Sequence, residues 1–261
     1  MAVVHPAAFC WGDSMIVHLP HASDFIPPAY RQLFVLDKES LRQELLRMTD
    51  WYTDLLFSGV GVPLRFPISR LVCDVERFRD PAQEPMAAQG MWICYTRTSS
   101  LEALKQWDVS HVRQILSRYY DPHHRSLSAL VAQELSQTGR ALIVDGHSFS
   151  SRPLPYERDS LRPDICIGTD AFHTPPSLQH WAHNHFAQRG YRVALNRPFS
   201  GAIVPLAYLG RQRCVYSIMI EINRSLYMQE DTGLRTPAFA RVQRDIQAFL
   251  RSISSFDWLD A

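Results

Sequence analysis

The chain lacks most of the signatures that assign a protein quickly. Its five cysteines, Cys10, Cys73, Cys94, Cys166 and Cys214, are odd in number, widely spaced and form no C-x-x-C pair. That pattern argues against a disulfide framework and against a cysteine-based zinc site, and it suits a reducing cytosol. No apolar run approaches the length of a membrane span. The opening MAVVHPAAFCWGDS has no basic segment followed by an apolar one, so it does not read as a signal peptide, and a cytoplasmic location is expected. A formal net charge of +1 gives no electrostatic reason to expect nucleic acid or a membrane as partner. Neither G-x-G-x-x-G nor a P-loop occurs, so nothing supports a dinucleotide or ATP site. Ser148 sits in DGHS and not in a G-x-S-x-G elbow, which argues against a serine hydrolase. No repeat, low-complexity tract or Gly/Ser linker divides the 261 residues, and a single domain over 1–261 is expected.

What is present is an ordinary globular composition, 46% hydrophobic and 20% charged, long enough to bury a sizeable core. Short β-rich runs alternate with amphipathic stretches. Strands are predicted at SMIVHLP (14–20), RLVCDVERF (70–78), ALIVD (141–145), YRVALN (191–196) and VYSIMIEIN (215–223). The spacing of Leu41, Leu45, Met48, Trp51, Tyr52 and Leu55 predicts one helix over 41–57. HVRQILSRYYDPHHRSLSALVAQEL (111–135) is helical on both sides of Pro122, which should kink or interrupt it. SLQHWAHNHFAQRG (177–190) predicts a helix ending at Gly190, and a last helix is expected after Thr236 and Pro237. The alternation indicates an α/β protein with a mostly parallel sheet and helices on both faces.

Chemistry concentrates where the strands end. The first is followed by His21, Ala22, Ser23 and Asp24; the second carries Asp74, Glu76 and Arg77. ALIVD gives way to Gly146, His147 and Ser148, with Gly146 expected to let the backbone turn. YRVALN ends in Asn196 and Arg197, and VYSIMI runs into Glu221, Asn223 and Arg224. Open α/β sheets bind ligands beyond the carboxyl ends of their parallel strands, so these groups should share one rim. Two imidazoles and a carboxylate make up a common catalytic zinc site. A further acid can take a proton from water there, and Glu221 follows an apolar strand whose burial would raise its pKa. Arginines at that rim match a substrate carboxylate in a bidentate way. The histidines of HWAHNH, His180, His183 and His185, lack a nearby acid and are expected on an exposed helix.

At these residues the chain resembles the N-formylglutamate amidohydrolase family. The motifs are PHASDFIPP, DWYTD, RLVCDVERF, DGHSF, RPDICIGTD, NRPFSGAIVP and IMIEINRSLYM, in family order over residues 14–232. The resemblance implies a phosphorylase/hydrolase-like, three-layer α/β/α fold with a mixed, mostly parallel sheet, as in zinc-dependent exopeptidases. It implies one zinc ion and hydrolysis of N-formyl-L-glutamate to formate and glutamate, late in a route of histidine degradation. Residue by residue, His21 and His147 match metal ligands and Glu221 matches the general base. His124 matches a histidine of the long helix, and Arg77, Asn196, Arg197 and Arg224 match substrate-binding positions. Two acids are alternatives for the third ligand. Asp24 gives an H-x-x-D spacing, whereas Asp50 matches an acid on the following helix, and Asp50 is preferred. The chain departs from many members at Ser23, where they show Gly, and at Glu76, where they show Asn in the presumed substrate pocket. A hydrolase of another N-acyl amino acid or small peptide, and a non-catalytic small-anion binder, are the competing readings.

Overall fold

The computed structural model describes residues 15–157, 159–254 and 256. Six strands form one sheet: β1 Ile16–Leu19, β2 Val62–Arg65, β3 Ala141–Phe149, β4 Ile165–Gly168, β5 Val193–Leu195 and β6 Val215–Asn223. Their spatial order is β2-β1-β3-β6-β4-β5. All pairings are parallel except β4 with β6, which is antiparallel. The sheet is therefore mixed and mostly parallel. The helices are α1 Pro28–Arg31, α2 Lys38–Met48, α3 Thr53–Leu56, α4 Val109–Ile115, α5 Asp121–Thr138, α6 Pro176–Ala187 and α7 Phe239–Ile253. Among the described residues no helix is long and apolar enough to cross a membrane.

The two sheet faces are covered by different helices. On one, Val17, Val144, Ile218 and Ile220 pack with Phe57 near the end of α3, Phe186 of α6 and Phe249 of α7. On the other, Ile16, Ala141, Ile143 and Val215 pack against Leu127 and Val131 of α5. Side chains alternate along a strand, so the second face continues through His18, Asp145, His147 and Glu221. That face is apolar at its amino end and ionisable at its carboxyl end. A separate core beyond the carboxyl ends includes Tyr30, Phe66, Leu71, Val72, Val75, Ile93 and Tyr95.

Several expected elements take a different form. RLVCDVERF is not a strand but a series of turns, in which Val72 N and Cys73 N both donate to the Ser69 carbonyl. Its apolar residues are there to fill the separate core. The true second strand is VPLR, partly exposed at the sheet edge, where Pro63 is tolerated because no neighbour needs its missing N–H. The helix expected over 41–57 breaks at residues 49–52: Thr49 is extended and Tyr52 takes a left-handed φ of 66°. Around Pro122 the helix is not interrupted but passes through a π-helical turn, Leu116–Tyr120, between α4 and α5. A wider turn is one way to relieve the clash between a proline ring and the carbonyl four residues earlier. The last helix starts at Phe239, two residues beyond Pro237.

Gly146 does not turn the chain. β3 runs straight through it to Phe149 with every residue buried. A methyl group at Gly146 would meet Leu19 Cδ2 at 2.9 Å and Phe57 Cδ2 at 3.0 Å. The glycine is a packing requirement of the helix side of the sheet, and the strand carries His147 directly above it on the opposite face.

Candidate functional site

His21 follows β1, His147 lies near the end of β3 and Asp50 sits in the break between α2 and α3. The break is what brings Asp50 in: its amide donates to the His21 carbonyl at 2.9 Å, so the chain reverses beside the histidine. Asp50 Oδ2 lies 3.0 Å from His147 Nδ1 and 3.6 Å from His21 Nδ1. The imidazole rings are 5.1 Å apart, and all three side chains are buried. Glu221 stands opposite His147 in the β3–β6 register and shares its face. Parallel pairing of the two central strands thus delivers the acid and the histidine to one spot.

The outer side of each histidine is anchored by a carboxylate. His21 Nε2 lies 2.8 Å from Asp74 Oδ1, and His147 Nε2 lies 3.1 Å from Asp145 Oδ1. Asp74 is itself held by Tyr95 Oη, donating at 2.6 Å, and by Arg70 Nη2 at 2.9 Å. Asp145 faces His18 Nδ1 at 2.8 Å, and His18 Nε2 lies 2.9 Å from His123 Nε2. Such carboxylate–histidine pairs fix ring orientation at metal sites and direct the other nitrogen inward. Here both Nδ1 atoms turn toward Asp50.

These residues fit a divalent ion on observations internal to the site. His21, Asp50 and His147 offer donor atoms that all lie within 4.8 Å of one another. His21 Nδ1 is buried without a hydrogen-bond partner. Two imidazoles and a carboxylate are also the donor types such an ion takes. Without an ion, protons fill the role. Burial works against the charged imidazole of His147, yet Glu76 and Asp145 hold its pKa well above the ordinary value. Burial and Arg70 also oppose protonation of His21, and Asp74 with Asp50 outweighs them, so its pKa is raised. Asp50 is buried too, but a hydrogen bond from His147 and the nearby charges of His21 and Arg224 keep it ionised far below the ordinary carboxylate range.

Glu221 differs from the other acids. Burial pushes its carboxyl up to about 7, His147 pulls it down, and Asp50 and Glu76 raise it further. Its Oε2 is buried without a partner in the protein. It is a carboxylate with a spare oxygen beside the donor cluster, suited to exchange a proton with a bound molecule near neutrality.

A cavity of about 420 Å³ opens over these groups, lined by His21, Asp50, Glu76, His147 and Glu221 among others. Arg77 and Arg224 border it as well. Arg224 is committed inward: its Nη2 donates to Asp50 Oδ1 at 2.9 Å and its Nε to Ser148 Oγ at 3.1 Å. It orients Asp50 and occupies the hydroxyl of Ser148. Arg77 Nη2 donates to Tyr95 Oη at 3.2 Å, and its Nε lies 3.3 Å from Asp74 Oδ2.

Four expected site residues lie elsewhere. Asp24 is exposed and stands outside the donor cluster, so of the two candidate acids Asp50 is the one beside the histidines. His124 has its Nε2 2.8 Å from the Val75 carbonyl and lines a different cavity with Arg79, Tyr120 and Arg125. Asn196, at a left-handed φ of 54°, binds Thr169 through both ends of its amide. Arg197 is 65% exposed and paired with Asp159, although its neighbours Pro198 and Phe199 line the cavity. In HWAHNH, His180 is exposed as expected, but His185 is buried against Trp181 and Phe249, which with Arg189 pushes its pKa down to about 4.

Some participants escaped the sequence reading. Arg70 lines the cavity, and Asp145 and His18 form a buried pair behind His147. The available signal was alternation: His18 pairs in register with Asp145, two residues before His147 on the same face. Asp74 was visible as an acid in RLVCDVERF, but its role depends on His21, 53 residues away.

Known proteins resemble this chain in sequence and in fold. A family model described as N-formylglutamate amidohydrolase matches residues 13–228. The N-formylglutamate deformylase of Pseudomonas aeruginosa is 25% identical over 228 residues, covering 83% of this chain and 82% of its own. The crystal structure of N-formylglutamate amidohydrolase from Ralstonia eutropha JMP134 superposes with a TM-score of 0.78 at 26% identity, covering 95% of each chain. A gene product of Agrobacterium tumefaciens shares the fold at a TM-score of 0.59 and 22% identity, over 95% of this chain and 90% of its own. With a matching model that spans most of the sequence, the chain belongs to the N-formylglutamate amidohydrolase family.

Proposed function

We propose that this chain is a metal-dependent amidohydrolase that cleaves N-formyl-L-glutamate to formate and glutamate, acting in the cytoplasm as one domain over residues 1–261. The observation that carries the reading is the convergence of His21, Asp50 and His147 beside Glu221. The names of the relatives supply the substrate, and the arginine-bordered cavity suits its carboxylates.

His21, Asp50 and His147 would hold one zinc ion. When bound, the ion supplies Lewis acidity to the formyl carbonyl and to the attacking water. Glu221 accepts the proton that water gives up and returns it to the departing amine nitrogen, which a carboxyl poised near neutrality does well. Asp74 and Asp145 keep the two imidazoles oriented through their Nε2 atoms. Arg70 and Arg77 flank the buried carboxylate of Asp74 on the cavity wall, with Arg77 also 3.7 Å from Glu84, and present guanidiniums whose geometry matches a substrate carboxylate. Holding the glutamate there positions the formyl carbon against the reacting groups.

A second reading has one observation of its own. A neighbouring cavity of about 290 Å³ shares Arg47, Ser150, Leu154 and Arg224 with the first, and this room favours longer N-acyl substrates such as a small peptide. Formate release from N-formyl-L-glutamate, measured beside N-formylaspartate, N-acetylglutamate and N-formylglutamyl dipeptides, with and without a chelator, separates the two. Chelator-sensitive turnover led by N-formylglutamate supports the first; a preference for the dipeptides supports the second. Equal, chelator-insensitive rates on all substrates contradict both.

A further inference from the structure

We infer that Glu76 is a fourth protein donor to the ion held by His21, Asp50 and His147, an inference that rests on the metal-centred reading above. Its carboxylate lies between the two histidines, with Oε1 3.2 Å from His147 Nε2 and Oε2 4.0 Å from His21 Nδ1. Two donors of one such ion lie no more than about 4.3 Å apart, so the second separation is within reach of a shared ion.

The other carboxylates around the histidines, Glu221 excepted, are already committed. Asp50 takes Arg224, Asp74 takes Arg70, Arg77 and Tyr95, and Asp145 takes His18. Among the described residues, the Glu76 carboxylate has hydrogen-bond or ion-pair contact with the two histidines alone. It also comes within 4.8 Å of donor atoms of His18 and Asp145 on the outer side of His147. His147 Nε2 offers one proton at most, and Asp145, fully buried and bound to His18, is the closer acceptor at 3.1 Å. Glu76 is therefore surplus as a hydrogen-bond partner.

Charge points the same way. Five carboxylates, Asp50, Asp74, Glu76, Asp145 and Glu221, surround the two imidazoles, and three guanidiniums, those of Arg70, Arg77 and Arg224, accompany them. With neutral imidazoles the carboxylates outnumber the guanidiniums, an excess of negative charge that a divalent ion offsets. Glu76 is one of three acids, with Asp145 and Glu221, left without a guanidinium, and a carboxylate held among others without a cation is costly. Its backbone is fixed, since Glu76 N donates to Asp74 Oδ1 at 3.1 Å, while its side chain is 21% exposed on the cavity wall and free to adjust. Two imidazoles with two carboxylates also form a harder donor set than two with one, better suited to manganese or cobalt alongside zinc.

The test reads metal binding and not turnover. Full-length wild type, Glu76→Gln, Glu76→Ala and Asp50→Asn are stripped, reloaded with zinc or cobalt, and titrated against a chromogenic chelator, with circular dichroism checking the fold. Both Glu76 variants should hold zinc at least about tenfold more weakly than wild type, and their cobalt visible band should strengthen as the coordination number falls. Wild-type affinity and an unchanged cobalt spectrum in both variants overturn the inference; if Asp50→Asn still releases its metal, the centre itself stands and only the role of Glu76 falls. Wild-type protein that takes up neither metal overturns both.

Discussion

Asp50 Oδ2 and His147 Nδ1 lie 3.0 Å apart although 97 residues separate them in the chain. The contact depends on one irregular and one regular feature: the break after α2 that turns Asp50 inward, and the unbroken run of β3 past Gly146 that carries His147 to the same rim. The site exists because the helix stops where its apolar spacing would continue it and the strand continues where Gly, His and Ser suggest a turn.

Replacing Asp50 by Asn exchanges an anionic donor for a weaker neutral one and removes the charge partner of Arg224. Metal affinity should fall by at least about tenfold. Inductively coupled plasma analysis of protein purified without chelator checks this. Full metal content in the variant contradicts the assignment.

Glu221→Gln should leave the metal in place and lower the turnover number by about a hundredfold or more, with a smaller effect on KM. The comparison needs metal content and steady-state rates on the same preparation. Near-normal turnover removes Glu221 from its role.

Gly146→Ala probes packing alone. The added methyl meets Leu19 Cδ2 at 2.9 Å and Phe57 Cδ2 at 3.0 Å, and overpacking of this kind costs about 1–3 kcal/mol. Thermal unfolding should show a loss of roughly 2–10 °C, since about 2–4 °C accompanies each kcal/mol in a domain approaching this size. An unchanged midpoint means the face beneath the site is looser than the contacts indicate.

Lys105 gives a pH signature independent of the site. Its ammonium is buried over the rings of Trp107, at 4.6 Å, and Phe34, at 5.1 Å, without a hydrogen-bond partner. Burial lowers its pKa from 10.5 to about 7. The charged form is thus disfavoured in the folded state: the destabilisation is full below about pH 7 and is relieved as pH rises toward 10.5, where the unfolded chain also loses the proton. Lys105→Met should be more stable than wild type by a few kcal/mol at neutral pH, a gap that narrows between pH 7 and 10. Urea unfolding of both proteins across that range measures it, and a gap that widens with pH reverses the account.

Much of this was legible in the sequence, and the limits are physical. β6 was readable residue for residue because its apolar run ends where its neighbours do. β3 was readable only to Asp145, since Gly, His and Ser look like a turn when the face they share with neighbouring strands is out of sight. His21, His147 and Glu221 could be named from strand ends and from a family resemblance, and they do meet. The broken helix could not be read, because Trp51, Tyr52 and Leu55 keep an apolar spacing while packing against the core from a separate turn. RLVCDVERF looked like a strand because Leu71, Val72, Cys73 and Val75 are all buried in the separate core. His124 and Arg197 match family positions, but Val75 and Asp159 claim their side chains.

The most direct test of the central claim is a crystal of the zinc-loaded protein measured at the zinc absorption edge. The account predicts one anomalous peak bounded by His21 Nδ1, Asp50 and His147, within reach of Glu221. A crystal grown with zinc that shows no peak there, or a peak at some other cluster, contradicts it.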